Sequence, residues 1–591
     1  MPSSGQTLNS RWPVVVTGLL ALIAVVRIIS TYSLTSQAFD EPCHVAAAIE
    51  LLDRHTYTLD PIHPPLSRIA IGLPLYLAGE RYPNLSRTDH DITYNDVGDA
   101  ILYDSGHYLR NLKLARLGVL PFFFLATAIV FLWSRREYGD FAGVMSAALF
   151  TTLPNVLAFS SVAYTDIVAG STQLALFFAF VGWLDKPTNR SALWLGFAAG
   201  LALASKATTV IFFPAAAVAI VLGKWACTRT IVGENAAPRQ IARQIAIAAA
   251  LAIATVWATY GFAVQHVREG MNLPPTIPAF RYFPAPLARA GRWLVASDPL
   301  IPAPALIKGV ADAWVLNKAK PAAYLLGHIK DGGWWFFFLL GVAVKSPLPF
   351  LILAAVGVTS LIKFDASRRW RAMAPALAAL AVFLVTMPVK YNAGVRHVMV
   401  VFPLLAIMAG CGCSYLWHLH EGARLRSPAR VPLGRLTMAR VAMIALLCWQ
   451  GVSTVRASSD FLAYFNELAG SDPSKVMVAG CDLDCGQDLF RLSREFQARH
   501  VSHATLAIWT SADPTQMQLP QFVVPQAYRP VTGWFAISLR ALRFGDSFHT
   551  TYPPGAFDWL QAYQPVGRVG KTILLYDIPE STEGDGRAPT R

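Results

Sequence analysis

The chain alternates long apolar stretches with polar loops, and most of the apolar stretches are long enough to cross a membrane. About 20 apolar residues in a helix span the roughly 30 Å hydrocarbon core of a bilayer, where a helix satisfies its own backbone hydrogen bonds. We therefore predict a polytopic α-helical membrane protein with about 11 transmembrane helices. The predicted spans are residues 12–31, 112–133, 141–160, 167–184, 191–205, 207–223, 244–262, 346–362, 372–388, 397–417 and 441–456.

The pattern changes at about residue 458, where the apolar runs shorten to strand length and alternate with helix-like stretches. This alternation is typical of a small α/β domain with a mainly parallel sheet. The predicted runs include VMVAG, ATLAIW, WFAISLRAL and TILLYDI, with GQDLFRLSREFQARH as a helix. We expect three parts: a membrane domain at 1–457 with long loops at 32–111 and 263–345, the α/β domain at 458–580, and a disordered tail at 581–591.

Composition and charge support this reading. Hydrophobic residues make up 54% of the 591 residues, charged residues only 15%, and the mean hydropathy is +0.41. The net charge of +14 follows topology, because the Lys/Arg-rich loops all fall on one side if the N-terminus is cytoplasmic. We expect an integral inner-membrane protein with its C-terminal domain outside the cytoplasm, and the charge requires no nucleic-acid partner.

Among seven cysteines, only Cys481 and Cys485 lie close together in the expected outer compartment. They form either a disulfide or a free pair, since disulfide geometry is demanding and depends on an oxidising compartment. Two further ligands at zinc-finger spacing are missing, so the spacing does not favour a zinc site.

The first predicted span ends in two adjacent acids, Asp40 and Glu41, with His44 one turn later and His63 further along the first outer loop. One interpretation is structural: Asp40 caps the helix that begins at Pro42, and Glu41 complements the helix dipole. The accompanying histidines favour a chemical role instead.

Further ionisable residues recur at the same expected side of the membrane. Asp166 begins the fourth span, Lys206 lies between the fifth and sixth, and Arg396 and His397 begin the tenth. Such groups are costly near lipid unless they are paired or used. Two carboxylates with several cations suit a reaction in which a base deprotonates a hydroxyl while cations hold a phosphate leaving group.

These residues resemble motifs of the C-type glycosyltransferases that use polyprenyl-phosphate sugars, in the branch of protein O-mannosyltransferases and lipid A aminoarabinose transferases. The resemblance spans essentially the whole chain. It rests on Asp40-Glu41, His63-Pro64-Pro65-Leu66, Asp166, GGWWFFFLLGVAVKSPL, NAGVRHVMVVFPLL, and YFNELAG followed by LDCGQDL, where bacterial members commonly carry a tryptophan at the position of Cys485.

The resemblance implies residue roles. Asp40 corresponds to the proposed catalytic base, Glu41 would orient it or bind the acceptor, and Asp166 would position the acceptor or a cation. The candidates for the donor phosphate are Arg396, Lys345, His397 and Lys206, and those for the donor and acceptor region are His63, His44 and Tyr391. Some of these residues have a structural alternative to a role in donor binding. Lys206 and Lys345 could extend their ammonium groups to the membrane interface, and His397 could be a histidine at a helix start whose hydrogen bonds are satisfied within the protein.

The resemblance therefore implies a membrane glycosyltransferase that moves a sugar from a polyprenyl-phosphate donor to a hydroxyl acceptor outside the cytoplasm, with inversion. The acceptor class, whether protein, lipid or glycan, stays open. No cofactor is expected, and a divalent cation is not indicated. The alternative is a transporter or flippase of a lipid-linked or anionic substrate, which also places charges between helices.

Overall fold

The computed structural model describes residues 11–85, 93–231, 237–274, 277–426, 433–478, 480–545 and 552–580, except the side chains of 420–426 and 433–437. The predicted disordered tail lies outside these residues. The first eleven helices are α1 Trp12–Ser30, α2 Glu41–Ile49, α3 Pro65–Leu77, α4 Tyr94–Tyr103, α5 Tyr108–Leu117, α6 Leu120–Tyr138, α7 Asp140–Thr151, α8 Pro154–Ser160, α9 Asp166–Asp185, α10 Asn189–Ser205 and α11 Thr209–Thr228.

The second half of the described chain is also mainly helical up to the C-terminal domain. Its helices are α12 Pro238–Thr259, α13 Val267–Met271, α14 Ala285–Ser297, α15 Pro304–Lys318, α16 Phe337–Lys345, α17 Leu348–Ser360, α18 Ala366–Thr386, α19 Val401–Arg426, α20 Leu433–Arg456, α21 Leu489–Ala498 and α22 Leu539–Arg543. The loop predicted at 263–345 thus contains helices and two antiparallel pairs of strands. These are β1 Val264–His266 with β2 Leu300–Pro302, and the hairpin of β3 Ala322–Leu325 with β4 His328–Asp331.

The protein is a polytopic membrane protein. Within the described residues, eight helices are long and apolar enough to cross a bilayer, or ten if each of two bent pairs counts as one span. The bent pairs are Asp140–Thr151 with Pro154–Ser160, at 62°, and Phe337–Lys345 with Leu348–Lys363, at 114°. Every predicted span overlaps a helix, but the fifth corresponds to α10, which has only 17 residues.

Two groups of ion pairs lie at the two ends of α9 and define two faces of the membrane domain. At one end Asp166 pairs with Lys206, which directly follows α10. At the other end Asp185 binds Arg136 at 2.8 Å and Arg371 at 2.6 Å. Because α10 begins just after the Asp185 end and finishes beside Lys206, it connects the same two faces as α9. Its length, about 25 Å at 1.5 Å per residue, is slightly short for the hydrocarbon core.

The C-terminal domain contains a five-stranded sheet in the order β6-β5-β7-β9-β8. The strands are β5 His503–Ala507, β6 Gln521–Val523, β7 Gly533–Ser538, β8 Gly567–Val569 and β9 Ile573–Ile578. β5 is parallel to β6 and β7, whereas β9 is antiparallel to β7 and β8. The sheet is therefore mixed, and the expectation of a mainly parallel sheet is wrong, because β8 and β9 are joined by the short turn at 570–572 and β9 pairs antiparallel with both β7 and β8.

The predicted strand VMVAG at 476–480 is not a strand in its described residues. Met477 and Val478 are buried, and the Val476 carbonyl accepts a hydrogen bond from Leu326. An ideal Cβ on Gly480 would lie 2.5 Å from the Ala393 carbonyl carbon. This segment uses its apolar side chains to dock the C-terminal domain against the membrane domain, so its apolar run marks an interface rather than a strand.

Candidate active site

Asp40 stands at the N-cap position of α2, but its side chain makes no capping hydrogen bond. Instead, Arg396 Nη1 donates to Asp40 Oδ2 at 2.5 Å. No hydrogen bond to Asp40 Oδ1 is made from the described part of the chain, and the side chain is 26% exposed. The capping interpretation is therefore wrong, and Asp40 is a partly accessible carboxylate held by one cation.

Two backbone hydrogen bonds and one stacked pair of aromatic rings hold the segment around Asp40. The Asp40 amide donates to the Tyr164 hydroxyl at 2.9 Å, in the loop just before α9. The Phe39 amide donates to the Cys485 carbonyl at 3.0 Å, and the Phe39 ring stacks on Trp509 with centroids 3.9 Å apart. The C-terminal domain thus contacts the residue that directly precedes the acid.

Asp166 begins α9 and is buried together with its partner Lys206. The Lys206 ammonium donates to Asp166 Oδ1. Asp166 also helps to raise the pKa of Arg396, after the larger contributions of burial, which lowers it, and Asp40. The two acids and two cations therefore form one cluster, Asp40–Arg396–Asp166–Lys206, in which the Arg396 guanidinium binds Asp40 and interacts electrostatically with Asp166.

The loop that carries Arg396 is shaped by close contacts between backbones. Gly394 has φ +94°, and a Cβ there would lie 2.4 Å from the Gly480 carbonyl oxygen, so glycine is required. The next amide, of Val395, donates to Asp482 Oδ1 at 3.0 Å. The short helical turn Val395–Val398 then projects Arg396 and His397.

His397 has a buried Nε2 that finds no hydrogen-bond partner in the described part of the chain. Its ring lies edge-on to Tyr391, with centroids 5.4 Å apart. Burial, Lys206 and Arg396 hold the pKa of His397 well below its ordinary value, so the imidazole is neutral at pH 7. A neutral imidazole can donate one hydrogen bond to a ligand without needing a counter-ion.

His44 and His63 adjoin the cluster. Their rings are 5.4 Å apart at 86°, and Arg68 Nη2 lies 3.3 Å from His44 Nδ1 while binding Asp60 Oδ2 at 2.5 Å. Burial and Arg68 lower the pKa of His63 to about 3 and hold that of His44 well below its usual range. Both histidines are therefore neutral.

Glu41 does not reach an accessible surface. Its side chain is 0% exposed and forms a bidentate pair with Arg116, with both contacts at 2.8 Å. Its two oxygens also accept the amide hydrogens of Ala163 and Ala38 at 2.7 Å. An acceptor-binding role is therefore wrong, because every oxygen is engaged and buried. Glu41 ties the end of α1 to the loop before α9.

Lys345 is also placed away from the cluster. It is buried, and its ammonium donates to the backbone carbonyls of Leu462, at 2.7 Å, and Asp482. The prediction that Lys345 binds the donor phosphate is therefore wrong, because the break between α16 and α17 directs it into the junction with the C-terminal domain.

Several residues of the site were not predicted. Arg116 and Arg68 are fully buried. Arg68 is a lone arginine in an apolar stretch, and Arg116 directly precedes a long apolar run; such positions are the signal for a functional or structural ion pair near lipid. The sequence carries a weaker signal for Tyr164 and Asp482. Burial raises the pKa of Asp482 to about 6, although Lys345 and the Val395 amide oppose this shift.

No group of three or more His, Cys, Asp or Glu side chains within the described ranges has the arrangement of a metal site. The free cysteines do not contribute to one; Cys43 donates to the Asp40 carbonyl at 3.1 Å.

Comparison with known families gives one match. Residues 111–257, about a quarter of the chain, match the family model described as dolichyl-phosphate-mannose-protein mannosyltransferase. No curated protein matches the chain by sequence. The match confirms the resemblance to lipid-phosphate-dependent glycosyltransferases for this part of the membrane domain, which contains α9, α10 and α11.

Three solved structures show the extent of structural likeness. ArnT from Cupriavidus metallidurans, bound to undecaprenyl phosphate, has 12% identity and a TM-score of 0.47, covering 94% of this chain and 97% of that one. Oligosaccharyltransferase AglB from Archaeoglobus fulgidus has 13% identity and a TM-score of 0.48, and the alignment covers 90% of this chain and 70% of that one. The protein O-mannosyltransferase complex Pmt1-Pmt2 from S. cerevisiae has 18% identity and a TM-score of 0.33, and the alignment covers 43% of this chain and 33% of that one. At these values, they assign no residue and no substrate to this chain.

Proposed function

We propose that this protein is a membrane glycosyltransferase that moves a sugar from a polyprenyl-phosphate donor to an acceptor hydroxyl, with Asp40 as the general base. The observation that carries the proposal is the pair formed by Asp40 and Arg396, in which a partly exposed carboxylate and a guanidinium are in contact. This pair brings a proton acceptor and a phosphate-binding group to the same point. The family match of residues 111–257 supports the choice of a lipid-phosphate donor.

The chemistry follows from these groups. Asp40 takes the proton of the acceptor hydroxyl as that oxygen bonds to the anomeric carbon, and the bond from this carbon to the phosphate oxygen breaks. The leaving polyprenyl phosphate carries the electron pair and gains one negative charge. Arg396 and Lys206 hold that charge, and neutral His397 donates its remaining hydrogen bond. A single displacement inverts the configuration at the anomeric carbon.

Donor binding changes the partners of Arg396. In the structure this side chain binds Asp40 through Nη1 and the Ala393 carbonyl through Nε, and its Nη2 has no hydrogen bond from the described residues. We propose that Nη2 binds a phosphate oxygen. Because a guanidinium has five donors in a fixed plane, it can bind the carboxylate and the phosphate together. Arg396 thereby sets the distance between the base and the leaving group.

The orientation belongs to the same proposal. The site and the C-terminal domain lie on one face, and the arginine-rich cluster of Arg136 and Arg371 lies on the other. The positive-inside bias supports a cytoplasmic position for the arginine-rich face. Reporter fusions at about residues 430 and 580 are expected on opposite sides of the membrane, and a cytoplasmic signal from both would contradict the orientation.

The test of the proposed function is sugar transfer by the purified protein in lipid nanodiscs. Polyprenyl-phosphate donors carrying different labelled sugars are offered with pooled envelope acceptors, and Asp40→Asn serves as the inactive reference. Label moved to an acceptor only by the wild-type protein supports the proposal. Donor that stays intact with every sugar and every acceptor class would overturn it.

The transporter alternative has less support. Transporters place substrate sites at broken helices near the membrane midplane. Of the two breaks in the described chain, the sharper one, between α16 and α17, lies beside the C-terminal domain, since Lys345 at that break binds the Asp482 carbonyl. Transport assays in sealed vesicles distinguish the two, because a transporter moves the lipid-linked substrate without cleaving it.

A further inference from the structure

The C-terminal domain reaches the residues that precede Asp40 through one short loop. This disulfide loop, residues 481–487, begins at Cys481, which is bonded to Cys485. Its own side chains brace it: the Cys485 amide donates to Gln487 Oε1 at 2.8 Å, and the Gly486 amide donates to Asp484 Oδ1 at 3.1 Å. The loop is therefore internally fixed as well as covalently closed.

The disulfide loop binds the segment 36–40, here called the acid segment, through its backbone. The Ser36 amide donates to the Gln487 carbonyl, and the Phe39 amide donates to the Cys485 carbonyl, both at 3.0 Å. The Ser36 hydroxyl donates to the Gly486 carbonyl at 3.2 Å. Three hydrogen bonds thus join two segments about 450 residues apart in sequence, and each depends on the shape of the loop.

The sulfur atoms make a second connection. The Tyr164 hydroxyl, which accepts the Asp40 amide at 2.9 Å, lies 3.1 Å from Cys485 Sγ and 3.3 Å from Cys481 Sγ. Tyr164 is fully buried. The hydroxyl therefore accepts from Asp40 and donates its own hydrogen to sulfur, so that the disulfide orients the tyrosine that holds the backbone of the acid.

We propose that the disulfide loop is a positioning element for Asp40, so that opening the Cys481–Cys485 bond lowers turnover without removing any group that touches substrate. The proposal rests on the proposed function for its catalytic part and adds Cys481, Cys485 and Tyr164 as positioning residues. A base must lie within hydrogen-bond distance of the proton that it removes, and small displacements of such a group are costly. Activity is thereby coupled to the redox state of the compartment that contains the domain.

The first experiment measures amide hydrogen exchange in the full-length protein in nanodiscs and needs no substrate. In Cys481→Ser/Cys485→Ser, the amides of the acid segment are expected to exchange about tenfold faster, the change produced by losing about one buried hydrogen bond. Amides of β5 are expected to stay unchanged. Cys448→Ser, which alters an exposed free cysteine, is the control. Equal protection of the acid segment in all three proteins would overturn the proposal.

The second experiment measures transfer kinetics with and without a phosphine reductant. Reduction of the wild-type protein is expected to lower kcat about tenfold with the donor KM unchanged, to have no further effect on the double serine variant, and to be reversed by re-oxidation. Two results would contradict a positioning role of the disulfide loop. One is a raised donor KM with unchanged kcat, and the other is an equal effect of the reductant on the wild-type protein and on the double serine variant. If the serine variant does not accumulate, reduction of the wild-type protein gives both measurements.

Tyr164→Phe tests the route through the sulfurs. It removes only the hydroxyl and is expected to lower kcat in the oxidised protein. In the double serine variant the same change is expected to lower kcat by a smaller factor, because both changes act on one contact. Strictly multiplicative defects would show independent contacts and overturn this route. If the wild-type protein transfers no sugar, the proposed function fails, whereas the exchange experiment still decides whether the loop holds the acid segment.

Discussion

The two ends of α9 carry similar ion pairs in very different settings. At one end Asp185, which is 17% exposed, binds two arginines from other helices. At the other end Asp166 is buried with Lys206 and belongs to a cluster that also contains Arg396 and Asp40. Both ends hold helices together, so an ion pair at a helix end does not by itself identify a functional site.

The difference lies in what surrounds the charges. Neutral histidines adjoin the Asp166 end, and His397 there has a buried nitrogen with no partner in the described residues. Asp40 keeps a partly exposed carboxylate held by one arginine, and the C-terminal domain packs over the segment that carries it. At Asp40 one carboxylate oxygen binds no described residue and a histidine nitrogen nearby lacks a partner, which indicates a ligand. At Asp185 both carboxylate oxygens bind arginines, which indicates helix packing.

The largest expected effect comes from replacing an aspartate by asparagine, first at one face and then at the other. Asp40→Asn removes the base with almost no change in size, so kcat is expected to fall by about 10² to 10⁴. Asp185→Asn, the matched control, is expected to leave kcat unchanged. Initial rates of sugar transfer by purified variants measure both. Wild-type turnover by Asp40→Asn would rule out the mechanism, whereas loss of expression would indicate a folding role.

Breaking the buried Asp166–Lys206 pair is expected to reduce stability more than breaking the partly exposed Asp185–Arg371 pair. Lys206→Met leaves Asp166 charged and buried without its lysine, which typically costs about 3–5 kcal/mol in the free energy of unfolding. Arg371→Met removes one partner from both Asp185 and Glu137, but Arg136 still binds both acids, so a smaller cost is expected. Denaturation in detergent measures both losses. Equal stability of the two variants would show that the two ends of α9 are energetically alike.

Much of this arrangement could be predicted from the sequence. Apolar length placed the helices, and the ionisable residues at helix ends, Asp40, Asp166, Lys206 and Arg396, do converge on one face. The convergence was predictable because helix ends on the same side of a membrane share a thin layer. The fold class therefore required only hydropathy and charge.

The direction of individual side chains could not be predicted. Successive residues in a helix differ by about 100°, so Asp40 and Glu41 point to different surroundings although they are neighbours. The partner of Glu41 is Arg116, 75 positions away, and the partners of Lys345 are backbone carbonyls of residues 462 and 482. Contacts of this kind depend on tertiary packing, and no local pattern reports them.

Arg396→Ala is expected to weaken donor binding more than it lowers turnover. A charge-assisted hydrogen bond contributes about 1.5–3 kcal/mol, so the donor KM should rise about 10- to 100-fold. Arg371→Ala, at the opposite face, should leave the donor KM unchanged. Steady-state kinetics with varied donor concentration measure the effect. An unchanged KM in Arg396→Ala would remove Arg396 from the phosphate site.

The smallest expected effect concerns the pH dependence of stability. Burial and Arg68 lower the pKa of His63 to about 3, whereas a histidine in the unfolded chain titrates near 6.5. Between these values the unfolded chain binds a proton that the folded protein does not, so stability is lost as the pH falls below about 6.5, at up to about 1.4 kcal/mol per pH unit. His63→Asn removes this contribution, and the fall in Tm between pH 7.5 and 5 should become smaller. His500→Asn, which changes an exposed histidine outside the site, should retain the wild-type fall. If His63→Asn retains it as well, His63 is not the histidine through which acid destabilises the site.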